Sequence, residues 1–145
     1  KDVGLIARQA GDAEIDAKIL TGDGIESSIY NFGGTAINGL RSATHWHEEV
    51  DSKKSREFEE KYIQKHNKSA VDGEAAALSY DATLLLGEAI VRSNSLSGEA
   101  IKKELRSLKD FKGATGSYSF DENGDPTEKS LIITEFGNGK RELAE

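Results

Sequence analysis

The sequence predicts an α/β chain. Three observations carry this reading. A short apolar stretch, Ala17 to Thr21, runs into a glycine-rich turn and then a helical pattern; three helical periodicities follow one another between Asp51 and Leu108; and the last third alternates like strands around turn residues. The mixture of a strand–turn–helix unit with an antiparallel-looking tail argues against an all-α or all-β domain.

Taken in order, Val3, Leu5, Ile6 and Ala10 fall at helical spacing, and Gly11 reads as a stop. Ala17 to Thr21 reads as a buried strand. Ser27 or Ser28 is placed to cap a helix through Ile29, Phe32 and Ile37 that closes near Asn38-Gly39. Leu40 to Trp46 is a second strand candidate. Asp51 or Ser52 can cap an amphipathic helix carrying Phe58, Tyr62 and Ile63, which ends near His66-Asn67-Lys68. Ala75 to Val91 is apolar on nearly every face and predicts a helix buried on most sides, so a covering surface is expected beyond the few strands present. Ser97 and Ala100 open another helix through Ile101, Leu105 and Leu108. Beyond it, "ATGSYSFDENGDPTEKSLIITEFGNGKREL" alternates around DENGDP and around Gly137-Asn138-Gly139.

Composition excludes several functions. The formal net charge is -7, with 36% hydrophobic residues and no cysteine. Scattered basic residues give no stripe for a nucleic-acid backbone, and the missing cysteines exclude disulfides, thiolate metal sites and cysteine nucleophiles. No apolar run approaches the roughly 20 residues that a membrane-spanning helix needs. No G-x-S-x-G elbow, phosphate-binding G-x-x-x-x-G-K or strand-borne G-x-G-x-x-G occurs, so catalysis has little support and no catalytic residue or cofactor is expected.

The question posed by Gly22-Asp23-Gly24 is why a strand should end with a carboxylate between two residues that lack side chains. Glycines permit left-handed backbone and close approach, so the turn is suited to presenting Asp23; the plainer alternative is a surface turn whose aspartate caps the next helix. In His45-Trp46-His47-Glu48-Glu49 the two histidines lie two apart, on one face of a strand, which raises a divalent-metal site and, with it, a small metal-dependent hydrolase. A third ligand at a recognised spacing is missing. Asp121, Asn123 and Asp125 imitate the start of a calcium loop, but Pro126 stands where that loop needs glycine and Ile132 where it needs a bidentate glutamate, so this stretch reads as a hairpin turn.

Four segments, "GLIARQAGDAEIDAKILTGDGI", "GTAINGLRSATHW", "REFEEKYIQKHNKSAVDGEAAALSYDATLLLGEAI" and "FKGATGSYSFDENGDPTEKSLIITEFGNGK", resemble in order and spacing the C-terminal portion of type I periplasmic binding proteins, in the Leu/Ile/Val-binding branch that serves ABC transporters. The resemblance implies a C-terminal fragment contributing to two Rossmann-like lobes that close on a small ligand. On that analogy residues 1–39 belong to one lobe, 40–50 form a hinge crossover, 51–112 belong to the other lobe, and 113–145 supply returning strands and a C-terminal tail. It implies that Asp23, flanked by Gly22 and Gly24, pairs with the α-ammonium of an amino acid. It also implies that the loop at Glu74 and Ala75 faces the ligand side chain, with Ala75 where many relatives carry an aromatic. Glu74 reads better as a first-turn residue favoured by the helix dipole, and Tyr80 and Asp81 as structural. The implied partners are an amino acid-like ligand, an ABC permease, and either the missing N-terminal portion or a swapped dimer. The implied location is periplasmic or extracellular, free or lipid-anchored in the full-length form. A ligand sensor or regulator of the same fold is the alternative.

Overall fold

The computed structural model describes residues 1–127 and 129–144. In chain order the elements are α1 (Asp2–Asp12), β1 (Leu20–Thr21), α2 (Tyr30–Gly33) between two 3₁₀ turns at Ser27–Ile29 and Gly34–Ile37, β2 (Arg41–Thr44), α3 (Lys53–His66), α4 (Glu74–Ser93), α5 (Gly98–Ser107), β3 (Phe111–Gly113), β4 (Gly116–Phe120), β5 (Pro126–Thr127), β6 (Ile132–Gly137) and β7 (Lys140–Leu143). They divide into two compact units, Lys1–Glu49 with Leu131–Glu145 and Val50–Ser130. The α/β class stands.

The first unit is a sheet in the order β1-β2-β6-β7. β1 runs parallel to β2, and the other pairs are antiparallel. Ala7, Ile29, Ile37, Leu40 and Phe136 form its buried core, against which Val3, Ile19, Ile25 and Tyr30 pack. Phe136 comes from β6, so the core closes only when the C-terminal hairpin joins the N-terminal elements. That hairpin turns through Asn138 and Gly139, both with positive φ, as a two-residue connection between right-twisted strands requires.

Local expectations need correction here. The stretch Ala17 to Thr21 is not a buried strand: only Leu20 and Thr21 pair, and Leu20 is 72% exposed, because β1 is an edge with one partner. No continuous helix follows it, and neither Ser27 nor Ser28 caps one. Glu26 occupies the cap position without a side-chain bond, and the adjacent Gly33 and Gly34, poor helix formers, break the segment into short turns. Gly11 does not stop α1, which continues to Asp12. The second strand ends at Thr44 rather than Trp46, since the Thr44 hydroxyl donates to the Trp46 carbonyl at 2.9 Å and bends the chain.

In the second unit α3 begins as expected at Ser52, whose hydroxyl accepts from the Ser55 N–H at 3.0 Å, and closes on Asn67 in the left-handed conformation. Within this chain α4 is buried along one face only, and the rest of its apolar surface is left without the cover the sequence expects. Within its unit Ala77, Asp81, Leu85 and Ala89 recur every fourth residue as one buried stripe, whereas Leu84 and Leu86 are exposed and Val91 is 77% exposed. Leu85, Leu108 and Tyr118 make the core beneath α4, with Leu105, Phe111 and Phe120 around them. The tail holds more strands than its alternation suggests, since β3 and β5 flank β4.

The strongest tie between α4 and these strands is polar. Asp81, 0% exposed, accepts from the Ala114 N–H at 2.7 Å and from the Thr115 N–H and hydroxyl, each at 2.8 Å. The Tyr118 hydroxyl adds a bond at 3.3 Å. Lys129 donates to the Thr115 carbonyl and hydroxyl at 2.7 Å and lies over the Tyr118 ring, 4.3 Å from its centroid. Burial pushes the Tyr118 phenol above its ordinary value and the Lys129 ammonium below its own. A side chain at Gly113 would place its Cβ 2.4 to 2.7 Å from the Asp81 carboxylate, so only glycine lets the strand come this close.

Asp121 heads the β4–β5 turn as expected of a hairpin, its Oδ1 accepting the N–H groups of Asn123, Gly124 and Asp125, each at 2.9 Å.

Asp81→Asn should lower stability by about 3 kcal/mol, because an amide must turn a donor toward donors in a buried site. Gly113→Ala strikes the same site by overpacking and should cost about 2 kcal/mol. Urea denaturation measures both, and the double variant should fall short of the sum. The Asp121 turn should respond to acid. The Asp125 N–H first, then those of Asn123 and Gly124, hold its carboxyl below the ordinary 3.8. A depressed carboxyl stabilises the folded turn above its unfolded value and loses that contribution as pH falls through the folded one. Amide exchange at Gly124 and Asp125 should therefore accelerate below about pH 4, beyond the intrinsic trend.

Candidate functional site

Because β1 and β2 are parallel, with Leu20 opposite Arg41 and Thr21 opposite Ser42, both strands leave the sheet at the same edge. Their carboxyl ends carry Gly22-Asp23-Gly24 and His45, the place where open α/β sheets present ligand-contacting groups. The His45 Nε2 lies 3.9 Å from the Asp23 Oδ2, an ion-pair distance too long for a hydrogen bond. The Asp23 side chain is 65% exposed, and among the described residues it accepts no hydrogen bond, so it caps no helix. Gly24 has φ +71, a conformation that favours glycine, whereas a Cβ at Gly22 would meet nothing. The turn thus needs one glycine for its backbone and leaves the carboxylate open.

What fixes the turn is Arg141, which the sequence reading missed. From β7 its buried guanidinium donates to the Ile25 carbonyl at 2.6 Å, directly after the Gly-Asp-Gly turn. Nothing in "GKREL" marks this arginine, since an alternating strand end places charged residues on either face.

His47 plays a different part from His45. It is 1% exposed; its Nε2 donates to the Arg141 carbonyl at 3.2 Å, and its Nδ1 accepts from the Glu49 N–H at 3.3 Å. These partners assign the Nε2–H tautomer and engage both ring nitrogens. The strand ends before either histidine, so the alternation that would put them on one face does not operate. Among the described residues His45 and His47 therefore form no shared metal site.

Glu74 and Ala75 lie in the second unit. Glu74 is the first residue of α4, buried at its N-terminus behind Gly73, and Ala75 is exposed. The helix dipole favours a carboxylate at that position.

The sequence pattern of the periplasmic binding proteins matches residues 1–141. The chain belongs to the periplasmic binding protein family. Among its relatives, the Leu/Ile/Val-binding protein homolog 1 of Brucella abortus is 28% identical over 140 residues, which cover 95% of this chain and 36% of that protein. The leucine-binding protein LivK of Thermotoga maritima superposes with a TM-score of 0.87 at 34% identity, over 99% of this chain and 41% of that structure. The branched-chain amino acid transporter substrate-binding protein LivJ of Streptococcus pneumoniae, in complex with isoleucine, gives 0.80 at 28% identity, again over 99% and 41%. The chain thus has the fold of type I binding proteins and spans about two fifths of its relatives' length.

The two histidines of this periplasmic binding protein should separate in stability. His47→Ala removes partners from buried backbone groups and should cost about 2 to 4 kcal/mol, while His45→Ala should stay within about 1 kcal/mol. Denaturant midpoints of the two variants test the assignment, and equal losses would contradict it.

Proposed function

We propose that this chain is part of the substrate-binding component of an ABC transporter, in which Asp23 takes the α-ammonium of an amino acid. The observation that carries the reading is an exposed carboxylate at the carboxyl end of a parallel strand, on a turn tied down by Arg141. An ammonium brought there meets a fixed counter-charge, a strong charge-assisted contact once water is excluded. Relatives named for leucine, isoleucine and valine binding support an aliphatic amino acid as the ligand.

In this reading the two units are parts of the two lobes, and the additional length of the relatives supplies the remainder of both. Glu74 and Ala75 face the ligand side chain, the small Ala75 leaving space for a bulkier group. Binding works by population shift: contacts from both lobes exist together only in the closed form, so the ligand favours closure and a permease reads the closed shape. The protein is periplasmic or extracellular and catalyses no reaction.

In a chain of the relatives' full length, calorimetry should find leucine bound and its α-hydroxy analogue, which lacks the ammonium, bound at least about a hundredfold more weakly. Asp23→Asn should weaken leucine by a similar factor, about 3 kcal/mol, because it leaves a desolvated ammonium without its counter-charge. Unchanged leucine affinity in that variant would remove Asp23 from the site.

A further inference from the structure

The second unit carries a groove that the reading above does not use. α3 contributes Phe58, Lys61, Tyr62, Lys65 and His66, spaced as one helical face, and α4 contributes Tyr80 with the smaller Ala76, Ser79 and Thr83. The cavity between them is about 400 Å³, within the range of small-molecule sites. Its wall is aromatic: the ring centroids of Phe58 and Tyr80 are 5.3 Å apart, those of Phe58 and Tyr62 5.8 Å, and those of Tyr62 and His66 4.4 Å. The side chains opposite are small enough to leave room for one more ring.

Charge narrows the occupant. The chain carries a net charge of -7, yet this lining holds two lysines and a histidine and no carboxylate. Lys61 donates to the Tyr80 hydroxyl at 2.8 Å, which fixes the ammonium and leaves two of its N–H groups for a ligand. That bond holds the Lys61 ammonium above its ordinary value, so it stays charged. Lys65 sits one turn further along the same face, about 6 Å away along the axis, and has no ion pair or hydrogen bond among the described residues. Two ammonium groups at that spacing can share one carboxylate.

We propose that the α3–α4 groove binds a small aromatic carboxylate, its ring against Tyr62 and Tyr80 and its acid between Lys61 and Lys65. Size favours a small molecule over a docked protein. The cavity of about 400 Å³ falls at the small end of small-molecule sites, and the lining runs only about 12 Å along α3, from Phe58 to His66. The groove lies wholly within the second unit and does not involve Asp23.

Phenylacetate, titrated into the isotope-labelled full chain, tests this by amide shifts. Saturable shifts confined to α3 and α4, with phenylacetamide and acetate each at least about tenfold weaker, are the expected result. The exposed double substitution Lys61→Gln with Lys65→Gln should weaken phenylacetate at least about tenfold without moving the unfolding midpoint. Ser79→Phe, which fills the groove from its exposed wall, should abolish binding independently of charge. No saturable shift at millimolar phenylacetate, equal binding of phenylacetamide, or undiminished binding by the lysine variant would each overturn the proposal. So would a phenylalanine-containing acidic peptide that binds where free phenylacetate does not.

Discussion

A two-residue parallel ladder, Leu20 against Arg41 and Thr21 against Ser42, governs the arrangement of everything that could contact a ligand in the first unit. Parallel strands share a direction, so both chains leave the sheet at one edge, and the residues just beyond them become neighbours however far apart they stand in sequence. An antiparallel pairing would send the Asp23 turn and His45 to opposite edges. The ladder itself is minimal and exposed on Leu20, so its register depends on support elsewhere. The Ile19 carbonyl accepts from the Arg41 N–H at 3.1 Å, and Ile19 and Ile25, on either side of the turn, pack against the core that Leu40 and Phe136 complete.

The second unit solves a related problem with charge added to an apolar core. One face of α4 must be held against a small three-stranded sheet, and Leu85 meets Leu108 and Tyr118 there. A buried carboxylate normally carries a heavy desolvation cost. Here it is offset by donors that the β3–β4 turn would otherwise leave unsatisfied, so α4 and the turn complete each other's hydrogen bonds. Such a pairing tolerates little geometric change, which fits the glycine at position 113 and the tight fit around it.

Elements with strong local signals were legible in the sequence, and those whose form is decided by distant partners were not. Ser52 and Asn67 bound α3 through their own capping chemistry, and the DENGDP and Gly-Asn-Gly turns carry their φ requirements in their residues. The burial of α4 could not be read in the same way. Its apolar composition is uniform, and only tertiary packing selects the stripe of Ala77, Asp81, Leu85 and Ala89. In the candidate site Asp23 stood out through its flanking glycines. The metal alternative weighed for His45 and His47 assumed strand alternation, which ends where Thr44 bends the chain. Arg141 was invisible for a simpler reason: no local pattern tells a buried strand arginine from an exposed one.

The bond from Arg141 to the Ile25 carbonyl spans 116 positions, and Phe136 enters the same unit's core from nearly as far. Synthesis runs from N-terminus to C-terminus, so the Gly-Asp-Gly turn is made well before the strand that fixes it. Until β7 clears the exit tunnel, the turn lacks its anchor and the first unit lacks Phe136. The residues of the intervening Val50–Ser130 unit are all made before β6 and β7. The order of the numbering is therefore not the order of completion: β6 and β7, which complete the unit carrying Asp23, are made after the whole of the inserted unit.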